Sequence, residues 1–268
     1  MAGYKFSQEE TQNIIKLYTD GKSINKISKD FNIPYQALRN HLSENNIYIR
    51  PRTKYTLDEH YFDSIDTPNK AYIMGLLYSD GANTSNYENA HYCISITLQC
   101  DDIQILEDIK REINSTAPIS IYDVECYGEV RRYCRFNICN KHIAYKMLEL
   151  GVCPNKTFTV DFPEWLPQEL YPHFIRGISD GDGYIREIRP IQATITGTTA
   201  LCESLSSIIS KNCEVYAPIH SIGKDRNENI KTLHVSGKKQ VIKYLEFIYN
   251  DADLKLNRKY KKYLELIA

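Results

Sequence analysis

Apolar positions in the first fifty residues recur at steps of three and four, in three short blocks separated by turn residues, and predict three helices. Ser7, with Glu10 three residues on, caps a block holding Ile14, Ile15, Leu17 and Tyr18, which Asp20-Gly21 closes. Ser23 opens a second block with Ile24, Ile27 and Phe31 on one face. Asn32-Ile33-Pro34 makes a turn, and Pro34 suits the first turn of a third helix that turns Ala37, Leu38 and Leu42 inward. Tyr35, Gln36, Arg39, Asn40 and His41 are left outside. Residues 1–48 thus form a small all-α domain. Residues 49–66 read as a linker, because Arg50-Pro51-Arg52-Thr53-Lys54 is basic and interrupted by proline.

From residue 67 the pattern repeats. One helix runs through Ala71–Gly81, and a second through Pro172–Gly183 about a hundred residues later. Each leads to a strand (Tyr92–Gln99; Ile191–Thr196) and then a helix (Ile103–Ile113; Ala200–Ser210). A strand pair ending at Tyr133–Cys139 or Thr232–Ser236 follows, then another helix (Lys141–Leu150; Lys239–Tyr249). Each half closes on a basic tail, Pro154–Thr157 or Leu256–Lys259. The expected architecture is α+β: two α-β-β-α-β-β-α repeats, residues 67–165 and 166–268, related by a pseudo-two-fold axis.

The first helix of each repeat carries small residues four apart, Ala71, Gly75 and Ser79 in one and Gly177 and Gly181 in the other. Such spacing makes a single face along which two backbones can approach closely. If the two helices cross there, Asp80-Gly81 and Asp182-Gly183 end up side by side. The glycines are expected in the left-handed conformation that terminates helices. Two carboxylates held together are costly unless a divalent cation neutralises them.

Ile73–Gly81 and Ile175–Gly183 resemble the two motifs of the single-chain LAGLIDADG homing endonucleases, and the resemblance covers the chain from about residue 66 onward. The second copy is the closer; the first departs at Tyr78, where the motif more often has an acid. The resemblance implies site-specific cleavage of both strands of DNA, leaving short 3′ overhangs. Asp80 and Asp182 would ligate Mg²⁺ shared between the motifs, and hydrolysis would need no side-chain nucleophile. It further implies that Gln99 positions water, its second-half counterpart being Thr196 or Gly197. Lys156 and Lys259 would stabilise developing phosphate charge, with Arg258 a close competitor for the second role. The strands after each motif would read bases in the major groove through Tyr92, Ser95, Thr97, Arg131, Arg132 and Arg135, and through Arg186, Arg189, Gln192 and Thr194.

The N-terminal helices resemble the helix-turn-helix of many bacterial and phage DNA-binding proteins. Tyr35, Gln36, Arg39 and Asn40 would then face the major groove, and Arg50, Arg52 and Lys54 the phosphates. A small bundle that binds protein fits the same pattern, and a solvated tether fits the basic strap.

Charge sharpens this picture. The net charge is −1, but residues 1–56 hold nine Lys/Arg against five Asp/Glu, residues 57–165 nine against seventeen, and residues 166–268 fifteen against twelve. The two ends are the natural phosphate-facing parts. The acidic middle is expected on the back of the sheet, where Asp101, Asp102, Glu107, Asp108 and Glu112 would face solvent. The 8 cysteines form no Cys-x-x-Cys pair, so buried reduced thiols rather than structural zinc are expected. No signal core or membrane-length apolar run is present, which points to a cytoplasmic, nucleoid-associated protein. The chain lacks the terminal His-Asn of an intein, so a free-standing monomeric nuclease of a phage or mobile element, acting on a long, partly asymmetric double-stranded site, is the expected reading. A non-catalytic DNA-binding regulator and an RNA-binding intron maturase are the alternatives; retention of both aspartates argues against pure regulation.

Overall fold

The structure, a computed structural model, describes residues 4–49, 55–126, 128–222 and 228–268. It divides into two compact units, residues 1–54 and 55–268.

The smaller unit has helices α1 (Gln8–Thr19), α2 (Ile24–Phe31) and α3 (Tyr35–Glu44). Ser7 and Glu10 form the expected reciprocal cap, with Ser7 Oγ accepting from the Glu10 amide and the Glu10 carboxylate from the Ser7 amide. Ser23 caps α2 by accepting from the Lys26 amide, and left-handed Asn32 (φ 52°) ends it. Ile14, Tyr18, Ile24, Ile27, Ile33, Leu38 and Leu42 form the core. Two positions differ from expectation. Phe31, expected inside, is 38% exposed; α2 stops there, and Ile33 in the turn fills the core in its place. His41, expected outside, is half-buried: its ring stacks on Phe6 at 3.8 Å and its Nε2 lies 2.9 Å from Thr11 Oγ1, tying α3 to the start of α1. Arg50, Arg52 and Lys54 lie outside the described residues.

The larger unit begins at Tyr55, so the latter part of the expected linker is no tether. Tyr61, Phe62 and Ile65 are buried in its core, the Asp58 amide donates to Ile113 O, and the Thr116 amide donates to Thr56 O. These three apolar side chains, set among acids without helical period, pack as an irregular strap.

The first repeat then runs α4 (Pro68–Ser79), β1 (Gly81–Asn83), β2 (Ile94–Gln99), α5 (Ile103–Glu112), β3 (Ser120–Cys126), β4 (Glu129–Ile138) and α6 (Lys141–Glu149). The second runs α7 (Tyr171–Asp182), β5 (Gly183–Arg186), β6 (Gln192–Thr198), α8 (Thr199–Cys213), β7 (Ile219–Ser221), β8 (Ile230–Ser236) and α9 (Lys238–Tyr249). The expected tail Leu256–Lys259 instead leads into a further helix, α10 (Asn257–Ile267). The two sheets are antiparallel with matching orders, β1-β2-β4-β3 and β5-β6-β8-β7. Strand alternation gives each one covered face, carried by Ile94, Ile96 and Leu98 or Ala193 and Ile195, and one open face. Helices α4 and α7 are buried all round between Ala71 and Tyr78 and between Phe174 and Asp180, which places the pair at the centre of the unit.

Candidate active site

The two motif helices meet through their glycines. A Cβ on Gly75 would lie 2.0 Å from Phe174 O, and one on Gly177 would lie 2.2 Å from Tyr72 O. A Cβ on Gly181 would strike Ser79 Oγ and sit 3.0 Å from the Asp80 carboxylate. The expected small-residue face is therefore a backbone-to-backbone crossing, and it carries Asp80 to within reach of the residue preceding Asp182. Gly81 and Gly183 do a different job from the one expected. Neither is left-handed; Gly183 leaves α7 with φ −90°. Each chain turns from helix into strand so sharply that a Cβ would meet the helix's own last turn, at Leu77 O (2.4 Å) or Ser179 O (2.3 Å).

Asp80 is half-buried at the C-terminus of α4. Burial, then the charge of Asp182, pushes its carboxyl up to about 6, against the pull of Lys259 and Lys156. Asp182, more accessible to solvent, is also raised by loss of hydration, with Lys156 and then Lys259 opposing. The two lysines are placed almost symmetrically. Lys156 Nζ donates to Tyr78 O (2.7 Å) and Ser79 O (3.2 Å). Lys259 Nζ donates to Ser179 O, Asp180 O and Gly183 O, each at 2.6 Å. Both ammonium groups are buried and cap the carbonyl ends of the motif helices, where the macrodipole is negative. An ammonium has three N–H groups, and all three of Lys259's are engaged with these carbonyl oxygens. Burial lowers it to about 8. Arg258, its competitor in sequence, points elsewhere and grips the buried carboxylate of Asp102 in the other repeat at 2.8 and 3.1 Å.

Behind the acids the halves differ. Asp180 is fully buried and accepts from Tyr72 OH (2.9 Å), Tyr249 OH (2.8 Å) and the Leu256 amide (2.8 Å). The matching Tyr78 donates its hydroxyl to Leu150 O, at the end of α6. Arg176, also fully buried, donates to Leu254 O and Ile248 O and lies over the Tyr72 ring at 5.1 Å. Sequence reasoning missed this network; a charged residue inside an otherwise apolar motif helix was the available signal.

Sheet register settles the counterpart of Gln99. Gly81 pairs with Ile96 and Gly183 with Ile195, so Gln99 corresponds to Thr198, not to Thr196 or Gly197. Thr198 is buried; its hydroxyl donates to Val160 O and accepts from the Leu201 amide as the cap of α8. Gln99 is exposed at the end of β2. A cavity between the repeats is lined by Ser79, Lys156, Asp182, Thr196, Gly197 and Thr198, among others, and Gln99 is not one of its walls.

Among the expected base readers, Ser95, Thr97, Arg131 and Arg135 share the open face of the first sheet, although Ser95 is itself buried. Arg135 Nε donates to Thr97 Oγ1 at 2.9 Å and its guanidinium lies over Tyr122 at 5.3 Å. Arg131 on the same face pairs with Glu129. Two expectations are corrected by alternation. Arg132 falls on the opposite face and pairs with Asp123. Tyr92 lies before β2 and packs with Tyr87 and Tyr145 of α6, on the helix side. On the second sheet Arg186, Gln192 and Thr194 share the open face, joined by Tyr184, His234 and Thr232, which the sequence had not singled out. Gln192 is held by His234 (2.8 Å) and Ser236 (2.9 Å). Arg186 bonds Ile188 O and Arg189 O within its own turn, where Arg189 is exposed. The acids expected behind the sheet do not all face water: Asp102 is buried against Arg258, and Glu112 accepts from Tyr61 OH and Asn69. Of the cysteines, Cys93, Cys134, Cys202 and Cys213 are buried, whereas Cys139 is exposed.

No family model matches the chain, and no curated protein matches it. Solved structures do. The homing endonuclease I-WcaI, bound to its DNA recognition sequence, is 13% identical, with the match covering 81% of this chain and 96% of that one at a TM-score of 0.55. The LAGLIDADG homing endonuclease I-LtrWI bound to target DNA is 14% identical over 78% of this chain and 90% of that one, at a TM-score of 0.48. I-DmoI in complex with DNA and Ca is 19% identical over 78% and 98%, at 0.46. The likeness to I-WcaI shows that the duplicated fold expected from the two motifs is the fold of a homing endonuclease.

Proposed function

We propose that this protein is a site-specific double-strand DNA endonuclease of the homing type. The observation that carries the reading is the glycine-to-glycine crossing of α4 and α7, which brings Asp80 and Asp182 together at two capped helix ends. A structural duplication has no need of two acids raised by burial in one place, whereas a cation site does. Both donors are carboxylates, a set that suits a hard divalent cation such as Mg²⁺. When bound there, the cation would supply an activated water and stabilise the leaving 3′-oxygen. Asp80 and Asp182 would hold it, and Lys156 and Lys259 would limit the repulsion between the acids while fixing the helix ends from which they project. The open sheet faces with Thr97, Arg135, Gln192, Thr194 and Tyr184 fit the major groove. The three-helix unit, with Gln36 and Asn40 exposed and hydrogen-bonded to each other at 2.8 Å and Arg39 beside them, would act as a helix-turn-helix anchor on flanking DNA. Each chain carries both motifs, so it would act as a monomer on a long, partly asymmetric site.

The test is cleavage of DNA drawn from the flanks of the protein's own gene, with Mg²⁺ or EDTA. Wild type should cut only with the metal, and Asp80→Asn and Asp182→Asn should bind the same DNA without cutting both strands. Cleavage in EDTA, or undiminished cutting by both variants, would overturn the reading.

A further inference from the structure

A second constellation lies away from the motif helices. His60 and Asp63 stand in the irregular strap that leads into α4, and His142 stands in the first turn of α6. One oxygen of the Asp63 carboxylate lies 2.8 Å from His60 Nδ1, and the other is hydrogen-bonded to His142 Nε2. The two imidazoles pack edge to face with centroids 4.9 Å apart, and one ligand atom from each of the three residues lies within 4.8 Å of the others. Glu59 stands beside them, 3.9 Å from His60 Nε2, and accepts from Asn140, the cap of α6.

We infer that His60, Asp63 and His142 form a surface site for a borderline transition-metal ion, Zn²⁺ being the best fit. The donor set selects the ion: two neutral imidazoles and one carboxylate match zinc, whereas magnesium prefers oxygen alone. Around a tetrahedral ion with bonds of about 2.0–2.1 Å, ligand atoms stand roughly 3.3–3.5 Å apart. All three side chains are exposed and their ligand atoms already lie within 4.8 Å of one another, so closing the set asks for a contraction of about 1.5 Å or less. The fourth position would fall to water or to Glu59. Binding would displace the protons that the rings share with Asp63 and would staple the strap to α6, closing a long loop of chain. The site shares no residue with Asp80 and Asp182 and does not depend on their role.

The experiment uses the full chain stripped with EDTA and kept reduced with a non-thiol reductant, titrated calorimetrically with Zn²⁺ and separately with Mg²⁺. Wild type should bind one more equivalent of zinc than Asp63→Asn and His142→Ala do, or bind it about tenfold or more tightly. Zinc should raise the melting temperature of wild type and of neither variant. Asp63→Asn preserves the shape of the cluster, so it reports binding even if His142→Ala disturbs α6; circular dichroism checks both. Absence of zinc binding at millimolar metal overturns the inference. So does binding of equal stoichiometry and affinity in wild type and both variants, which would assign the metal to the cysteines.

Discussion

Asp80→Asn should make the metal-free protein more stable, although it removes a functional group. In the folded protein the carboxyl is moved from 3.8 to about 6, chiefly by burial and then by Asp182. At about 1.4 kcal/mol per pH unit, ionising it at neutral pH costs the fold about 3 kcal/mol. Asparagine keeps the shape without the charge, but its half-buried amide is itself imperfectly solvated, so the net gain should be about 1–3 kcal/mol. For a unit of this size that is a rise of roughly 3–10 °C in melting temperature. The folded acid holds its proton more tightly than the unfolded one. The cost is therefore fully present above about pH 6, shrinks as pH falls through 6, and is gone below the unfolded value of 3.8. Trp165, the single tryptophan, packs against the core of the larger unit, so its fluorescence follows that unit's melting. Melts in EDTA at pH 7.5 and at about pH 4 should show the variant's advantage at the first and little of it at the second. An advantage that is absent at pH 7.5, or equal at both, would refute the claim that the motif acids are held together at a cost.

Three further outcomes are expected. Gly177→Ala would place its Cβ 2.2 Å from Tyr72 O, so a change that ordinarily helps a helix should instead destabilise the larger unit by about 1–3 kcal/mol or more, read by the same Trp165 melts. Arg135→Ala should relax sequence preference by about 1–3 kcal/mol at one base position in a selection assay, while Arg132→Ala on the opposite face leaves the preference unchanged. Deleting residues 1–54 should leave the larger unit folded and its cleavage positions the same, but shorten the footprint and flatten the salt dependence of DNA binding; an identical footprint would remove the anchor role.

The repeat was legible because its signals are local: a four-residue spacing of small side chains, an acid and a glycine after it, then alternation of strand residues. Asp80 and Asp182 could be picked out that way, whereas Lys156 and Lys259 came from the family resemblance of the basic tails. What the lysines do could not, because capping carbonyls one helix away depends on packing rather than on spacing. Arg132 was misplaced because neighbouring arginines on a strand look alike until pairing with β3 assigns their faces. Asp102 and Arg258 bond across the two repeats, a contact no window of sequence contains. Tyr61, Phe62 and Ile65 were lost in a stretch read as linker because they pack without any regular period.

The hydroxyl of Tyr72 on Asp180 also makes the two halves unequal partners. In the second motif helix the position matching Tyr72 is Phe174, and in the first the position matching Asp180 is Tyr78. Two second halves brought together would offer each buried Asp180 a phenylalanine ring in place of a donor. Two first halves would leave each Tyr72 hydroxyl buried with no carboxylate to receive it. In the first case Asp180 keeps Tyr249 and the Leu256 amide and loses one donor of three; in the second the unpaired hydroxyl costs about 1–3 kcal/mol, twice over in a symmetric pair. Only the unlike pairing makes this bond, so it favours the first half against the second. Replacing either half by a copy of the other would lose this contact.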